Sequence, residues 1–324
     1  MTATMTPADV SHHAQAILDE AATVIVGMED TLAIAVAALL AKGHVLFEDV
    51  PGLGKTLAAR TLAHTLGLEF SRVQCTPDLL PSDITGGVIF NPATREFDVR
   101  QGPLFTGLFL ADEINRTAPK TQSALLEAMA ERQVTIDGIT YPLPQPFHVI
   151  ATSNPVEFDG TYPLPEAQLD RFMVRLSVGY LSAEDEAHMV TRRLNRHTDT
   201  PTVQRIVSSN DFHTMQETIE TVLINPDIVD YCVNLVHATR THAATEVGAS
   251  PRASQALALL ARAYAVVQGR DYVIPEDVKT IAPAVLAHRL TLTATAWATN
   301  VDPANIVHSI LTSVPTPAIT TPTP

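Results

Sequence analysis

The sequence has only two cysteines, Cys75 and Cys232, in 324 residues. So few exclude a disulfide framework and a thiolate metal cluster, and leave each as a small apolar residue of the core. Long apolar runs are missing too. The longest, Leu32 to Ala41, ends at Lys42, well short of the ~20 residues that a membrane-spanning helix requires. No basic stretch followed by an apolar one opens the chain, so no secretory leader is expected. These absences predict a cytoplasmic protein with no membrane insertion. Positive charge is scarce: 21 Lys and Arg stand against 35 Asp and Glu, a formal net charge of −14, which disfavours nucleic acid and anionic lipid as partners. The twelve histidines contain no HExxH and no paired-ligand spacing, so no metal besides Mg²⁺ is expected. His12-His13 falls in a polar start read as mobile.

What is present is an alternation of short apolar runs and helical stretches. Ala14 to Val24 and Met28 to Ala41 read as two helices separated by Val26-Gly27, with Gly43 closing the second. Five apolar runs follow: His44 to Glu48, Phe70 to Gln74, Leu108 to Asp112, His148 to Thr152 and Met173 to Leu176. Helical segments lie between most of them, which predicts a parallel sheet buried between helices. This gives an α/β domain over residues 1–180. Beyond it, Ser182-Ala-Glu-Asp185 has the form of a capping box. Helices then fit Asp185 to Asn195, Pro226 to Thr241, Ala253 to Gln268 and Pro275 to Ala287, an all-helical domain over 181–313. The tail at 314–324, VPTPAITTPTP, is too poor in apolar surface and too rich in proline to fold.

One stretch carries chemistry. Glu48-Asp-Val-Pro-Gly-Leu-Gly-Lys-Thr56 follows the strand HVLFE and precedes a helix from Leu57 to Leu66, the order in which a phosphate-binding loop is built. In such a loop backbone amides converge on the phosphates, a lysine reaches the terminal ones, a hydroxyl holds Mg²⁺, and the next helix turns its positive end to the site. Those demands fall on Pro51, Gly52, Leu53, Gly54, Lys55, Thr56 and Leu57. The usual pattern begins with a glycine where this chain has Asp49, a residue type that tolerates unusual backbone angles. A second apolar strand, Leu108 to Asp112, ends in Asp112-Glu113. Asp112 is expected to hold Mg²⁺ and Glu113 to act as general base on the attacking water.

Through GLGKT and LADEIN together, the chain resembles the MoxR-type AAA+ ATPases from about Val26 to Arg289. The resemblance is carried by EFSRVQCTPDLLPSDITGG (Glu69 to Gly87), GPLFTGLFLADEINRTAPKTQSALLEAMAERQVTIDG (Gly102 to Gly138) and ATSNPVEFDGTYPLPEAQLDRF (Ala151 to Phe172). It implies a P-loop NTPase core with strand order 5-1-4-3-2, a helical lid, ATP and Mg²⁺ as cofactors, and a homo-oligomeric ring, usually hexameric, with each nucleotide between neighbours. It also implies a client protein and a partner with a von Willebrand factor A (VWA) domain.

By position in the family pattern, Asn154 resembles sensor 1, Arg171 the arginine finger and Arg252 sensor 2, while Val26 and Gly27 sit where the family contacts adenine. The family more often has Gln where Met28 stands, and ATQNP where this chain has ATSNP. Alternatives stay open: Arg171 in an internal pair with Asp170 or Glu166, Arg252 serving its own or a neighbour's site, and Val26 to Met28 as a plain helix corner. Gln133 to Pro142 reads as a hairpin about Asp137-Gly138. A second insertion, Ile84 to Gln101, offers strands at Val88 to Phe90 and Glu96 to Arg100. Both match hairpins of this AAA+ branch, where Phe90, Phe97 or Tyr141 touch a client or pack on their own strands. The functional expectation is an ATP-driven, chaperone-like motor; the alternatives are a chelatase- or helicase-like ATPase and a nucleotide-gated scaffold with little turnover.

Overall fold

The structure is a computed structural model and describes residues 5–155, 161–198 and 201–318. Five strands form one parallel sheet: β1 (Val45–Glu48), β2 (Phe70–Gln74), β5 (Leu108–Asp112), β8 (His148–Ser153) and β9 (Val174–Leu176). Their order is β2-β5-β8-β1-β9, which in sheet-strand count is the expected 5-1-4-3-2. The register sets Val45 against Ile150 and Val174, and Gln74 against Asp112. Every residue of β5 and β8 is buried, as a sheet covered on both faces requires. The period of two is plain in the packing. Val45, Phe47, Leu108, Leu110, Ile150 and Val174 join one core, while Leu46, Phe109, Ala111, Val149 and Ala151 join the other.

The first core is the larger. It takes in α1 (Pro7–Ala22), α2 (Glu29–Leu40), α3 (Lys55–Thr65) and the C-terminal helices α8 (Ser209–Ile219), α9 (Pro226–Thr241), α10 (Pro251–Val267), α11 (Pro275–Leu286) and α13 (Pro303–Ser313). The second lies under α5 (Pro119–Glu131) and the hairpin of β6 (Gln133–Ile136) with β7 (Ile139–Pro142). That hairpin has the expected pairing, Val134 opposite Tyr141 and Thr135 opposite Thr140. Asp137 and Gly138 turn it with φ of 49° and 78°. The other insertion pairs β3 (Gly86–Asn91) with β4 (Glu96–Gln101). Phe90 lies across from Phe97 with ring centroids 5.3 Å apart, yet the rings remain 50% and 72% exposed.

Two readings from pattern are corrected. The polar start is helical: Thr6 caps α1, exchanging hydrogen bonds with Asp9 in a capping box, and Pro7 begins the first turn. His12-His13 therefore lies within a helix. The helical region also carries a short ribbon, β10 (Thr245–Val247) with β11 (Thr291–Leu292). The tail is irregular over 314–318, and 319–324 lie outside the described residues. Cys75 and Cys232 are buried and unpaired.

A buried polar junction ties sheet to helices. His44 donates from Nε2 to the Met129 carbonyl at 3.3 Å and accepts the Val149 amide at Nδ1, 2.9 Å. His148 donates from Nδ1 to the Gly43 carbonyl at 2.9 Å and accepts from Gln216 at Nε2, 2.8 Å. Each ring uses both nitrogens as a neutral imidazole must. Burial, reinforced for His44 by His148, lowers the two to about 3 and about 4. The unfolded chain binds these protons near pH 6.5 and the native chain does not, so stability is full above that pH and falls below it. The loss is up to about 1.4 kcal/mol per pH unit for each ring. Thermal unfolding followed from pH 7 down to about 5, where carboxylates remain ionised in both states, is expected to show a steadily falling Tm; a flat profile would contradict the neutral pair.

Candidate active site

β1 delivers the chain to the loop 49–54, and α3 begins at Lys55 with Gly54 as its N-cap in the left-handed region, φ 79°. Gly52 has φ 87°, and an added Cβ at either glycine would meet no atom within 4 Å. The loop thus keeps its backbone bare where amides must approach an anion. A cavity of about 390 Å³ opens there, lined by Pro51 to Leu57 together with Arg72, Gln74, Asp112, Glu113, Thr152, Ser153 and Asn154. Lys55, Thr56, Asp112, Glu113 and Asn154 therefore meet at one place.

Lys55 is buried and its ammonium donates to the carbonyls of Asp49, Val50 (3.2 Å) and Ser153 (3.4 Å). Burial lowers its pKa, against the opposing charges of Asp49, Asp112, Glu113 and Glu48. The Thr56 hydroxyl donates to Asp112 Oδ2 at 3.0 Å, and the Thr152 hydroxyl to Oδ1 at 2.6 Å. A hydroxyl and a carboxylate are hard oxygen donors, the set that suits Mg²⁺ rather than a soft metal. The residues fit a Mg·nucleotide: Thr56 and Asp112 would hold the ion, Lys55 and the loop amides the phosphates.

Glu113 sits at φ 60°, ψ 53°, an uncommon conformation for a residue with a side chain. Its amide is held by the Thr152 hydroxyl at 2.8 Å. Its Oε2 accepts from Gln74 at 2.9 Å and from Arg116 at 3.1 Å. The carbonyl of Asn154 accepts from the Asn115 side chain at 3.0 Å. Cys75 lies nearby, and burial, with Asp112 and Glu113 adding to it, pushes its thiol up to about 12. It is therefore a neutral core residue at the site, not a nucleophile.

Sequence reasoning missed Arg72, Gln74, Asn115 and Thr152. Arg72 reaches Asp112 Oδ2 from Nε at 2.9 Å and from Nη2 at 2.8 Å, and also holds Gln74 at 2.8 Å. The available signal was the spacing: Arg72 and Gln74 are two apart in a strand and so share a face.

A second cavity, about 240 Å³, shares Gly52, Leu53, Gly54 and Leu57 with the first. Its other walls include Val24 to Val26, Met28, Val178, Tyr180, Leu181, Glu186 and Met189. Val26 thus faces this slot, whereas Gly27 is not among its walls. Gly27 has φ 72°, and a Cβ there would come within 2.7 Å of Leu181 Cδ2, so the backbone packs closely at this corner.

Arg171 and Arg252 line neither cavity. The internal pair considered for Arg171 does not form. Asp170 is taken by Arg289 at 2.7 Å and by the Ser250 hydroxyl at 3.2 Å, and Glu166 by the Thr291 hydroxyl at 2.5 Å. Arg171 donates to the Ala167 carbonyl at 3.4 Å and has no carboxylate partner among the described residues. Arg252 is 58% exposed at its side chain and stands 3.9 Å from Asp170.

Comparison with known proteins finds relatives that cover most of the chain. Residues 44–174 match the model of the ATPase family associated with various cellular activities (AAA), and 237–310 that of the AAA lid domain. The chain is 49% identical to the YeaC protein of Bacillus subtilis, over 91% of this chain and 92% of that one. It is 44% identical to Chaperone MoxR1 of Mycobacterium tuberculosis, over 95% and 83%. A crystal structure from Cytophaga hutchinsonii superimposes with a TM-score of 0.88 at 43% identity, covering 95% of this chain and 96% of that one.

Proposed function

The chain belongs to the MoxR family of AAA+ ATPases, and from that membership we propose that it hydrolyses Mg·ATP in a homo-oligomeric, hexameric ring whose cycle remodels a client protein. The observation that carries the reading is the convergence of Lys55, Thr56, Asp112, Glu113 and Asn154 on one cavity, beside an apolar slot suited to a base.

In this reading Lys55 and the loop amides bind the phosphates and exclude water from them. Thr56 and Asp112 would hold Mg²⁺, which when bound would neutralise charge on the phosphates. Glu113 takes the proton of the attacking water, and Asn154 orients that water. Arg171 reaches a neighbour's site. Arg252 lies at Asp170, the residue before Arg171, so a neighbour docking on this face would meet both arginines. This supports Arg252 acting on the neighbour's nucleotide.

The work done with the cycle is read by analogy. One relative is named a chaperone, and the family resemblance implies a VWA-domain partner; both are taken as features of this protein, acting in the cytoplasm. The nucleotide reading is tested by Lys55→Ala. Removing a buried ammonium that faces the terminal phosphates is expected to weaken Mg·ATP binding about a hundredfold, measured by titration calorimetry. Equal heats and affinity in the variant and the parent would sink it.

A further inference from the structure

Asp49 stands where the phosphate-loop pattern has its first glycine, and nothing in the backbone asks for glycine there. The residue is not among those with positive φ, and its amide continues the β1 to β8 pairing by donating to the Ser153 carbonyl at 3.1 Å. No tolerance of unusual angles is needed. What the side chain does is specific. Oδ2 accepts from the Ser177 hydroxyl at 2.9 Å and from the amides of Val178 and Gly179, each at 2.7 Å. Oδ1 accepts the Val50 amide at 2.9 Å. Burial pushes this carboxyl up, but the bonds from Gly179, Ser177, Val178 and Val50 outweigh it and hold the group below the usual carboxylate range. They are therefore made to the ionised form, the stronger class of hydrogen bond.

The segment so fastened runs from the end of β9 to α7 (Ala183–Arg196) without regular structure. It supplies Val178, Tyr180 and Leu181 to the slot, whose walls also include Val24 to Val26 and Met28. Burial does not fix its middle, since Tyr180 is 83% exposed. By comparison with the 2.7 Å bonds from Asp49, the Thr31 hydroxyl meets the Ser177 carbonyl at 3.5 Å, the outer limit of a hydrogen bond. Asp49 is also where the Lys55 ammonium rests on the main chain. One residue thus touches the phosphate-binding lysine through its carbonyl and the wall of the slot through its carboxylate.

We propose that Asp49 is a positioning residue for the nucleotide base: its carboxylate fastens the phosphate loop to residues 177–179 and thereby sets the width of the slot that takes the purine. The inference rests on the nucleotide reading above. It predicts that restoring the common motif residue is harmful in one respect only. In Asp49→Gly the loop loses only the Val50 tie, and the amides from Gly52 on and Lys55, which rests on main-chain carbonyls, are expected to stay in place, while the wall carrying Val178, Tyr180 and Leu181 loses three anchors, two of them to backbone amides.

The test is calorimetric titration of the full chain with Mg·ATP and with magnesium tripolyphosphate, a ligand with the phosphates and no base. For Asp49→Gly, ATP affinity is expected to fall about tenfold or more, the scale of losing charged hydrogen bonds. Tripolyphosphate affinity is expected to stay within about twofold. Asp49→Asn keeps an acceptor oxygen without the charge and is expected to fall between the parent and the glycine variant for ATP. Hydrogen exchange at 177–181 is expected to quicken in Asp49→Gly. Equal losses for both ligands would overturn the proposal by assigning Asp49 to the phosphate loop itself, and so would unchanged ATP affinity. If the unaltered chain gave no heat with either ligand, the nucleotide reading would fail first and this inference with it.

Discussion

Glu113→Gln is expected to abolish steady-state ATP hydrolysis while leaving ATP bound. The two side chains have the same shape, and Glu113 accepts through a single oxygen: Oε2 takes the Gln74 amide at 2.9 Å and the Arg116 guanidinium at 3.1 Å. A glutamine with its carbonyl oxygen in that position keeps both. The amide cannot accept the proton of an attacking water, and general-base assistance is worth about 10² to 10⁴ in rate. The strained backbone at this residue and its hold on the Thr152 hydroxyl do not depend on the charge, so the fold and the phosphate cavity are expected to survive. The measurement is a pair: phosphate release at saturating Mg·ATP, and nucleotide affinity by calorimetry. Hydrolysis at the parental rate would remove Glu113 from the role of base. Loss of binding along with rate would mean that the carboxylate is structural. A bound but unhydrolysed nucleotide would also make this variant the right bait for a client, since a ring held in the ATP state is expected to retain what it grips.

The parts of this site that are local in sequence were legible, and the parts assembled by topology were not. The phosphate loop could be read because strand, glycines, lysine and helix follow one another within a few residues. The boundaries of β2 and β5, Phe70–Gln74 and Leu108–Asp112, were legible as apolar or alternating runs ending at polar residues. The strand order came from the family resemblance, not from periodicity. Arg72 and Gln74 therefore could not be placed beside Asp112 from pattern alone, because what puts them there is the pairing of β2 with β5. The same holds for the ribbon that joins Thr245 to Leu292, two short segments with no apolar alternation to announce them. The start of α1 was missed for another reason. Its first turns are polar, and the signal was the cap, Thr6 with Asp9, not the period. Asp49 is the opposite case: its position drew notice as a departure from a pattern, but its partners lie in the segment after β9, beyond the reach of any local rule.

Arg171→Ala is expected to lower turnover by about 10³ or more, the scale measured for arginines supplied to a phosphoryl-transfer site, with ATP affinity little changed. In its own chain this guanidinium lines neither cavity and pairs with no carboxylate among the described residues. The neighbouring acids that would have neutralised it are engaged elsewhere, Asp170 by the buried Arg289 and Glu166 by Thr291. The buried Nε of Arg171 has no hydrogen-bond partner among the described residues, and a phosphate held by the next subunit would supply both an acceptor and the opposite charge. The decisive form of the experiment uses two inactive chains. On the proposed reading, each site draws its base from one subunit and its arginine from another. An Arg171→Ala chain with its intact Glu113 can therefore form a complete site with the intact Arg171 of a Glu113→Gln chain. After subunit exchange at equal amounts, about a quarter of the interfaces in a closed ring carry both groups, so a mixture of two dead proteins is expected to recover up to about that share of parental activity if sites act independently. A purely internal role for Arg171 gives no complementation at any ratio, because no mixture restores a residue within its own chain. Recovery therefore assigns the arginine to the neighbour's nucleotide, and continued silence in rings shown to have exchanged subunits returns it to its own.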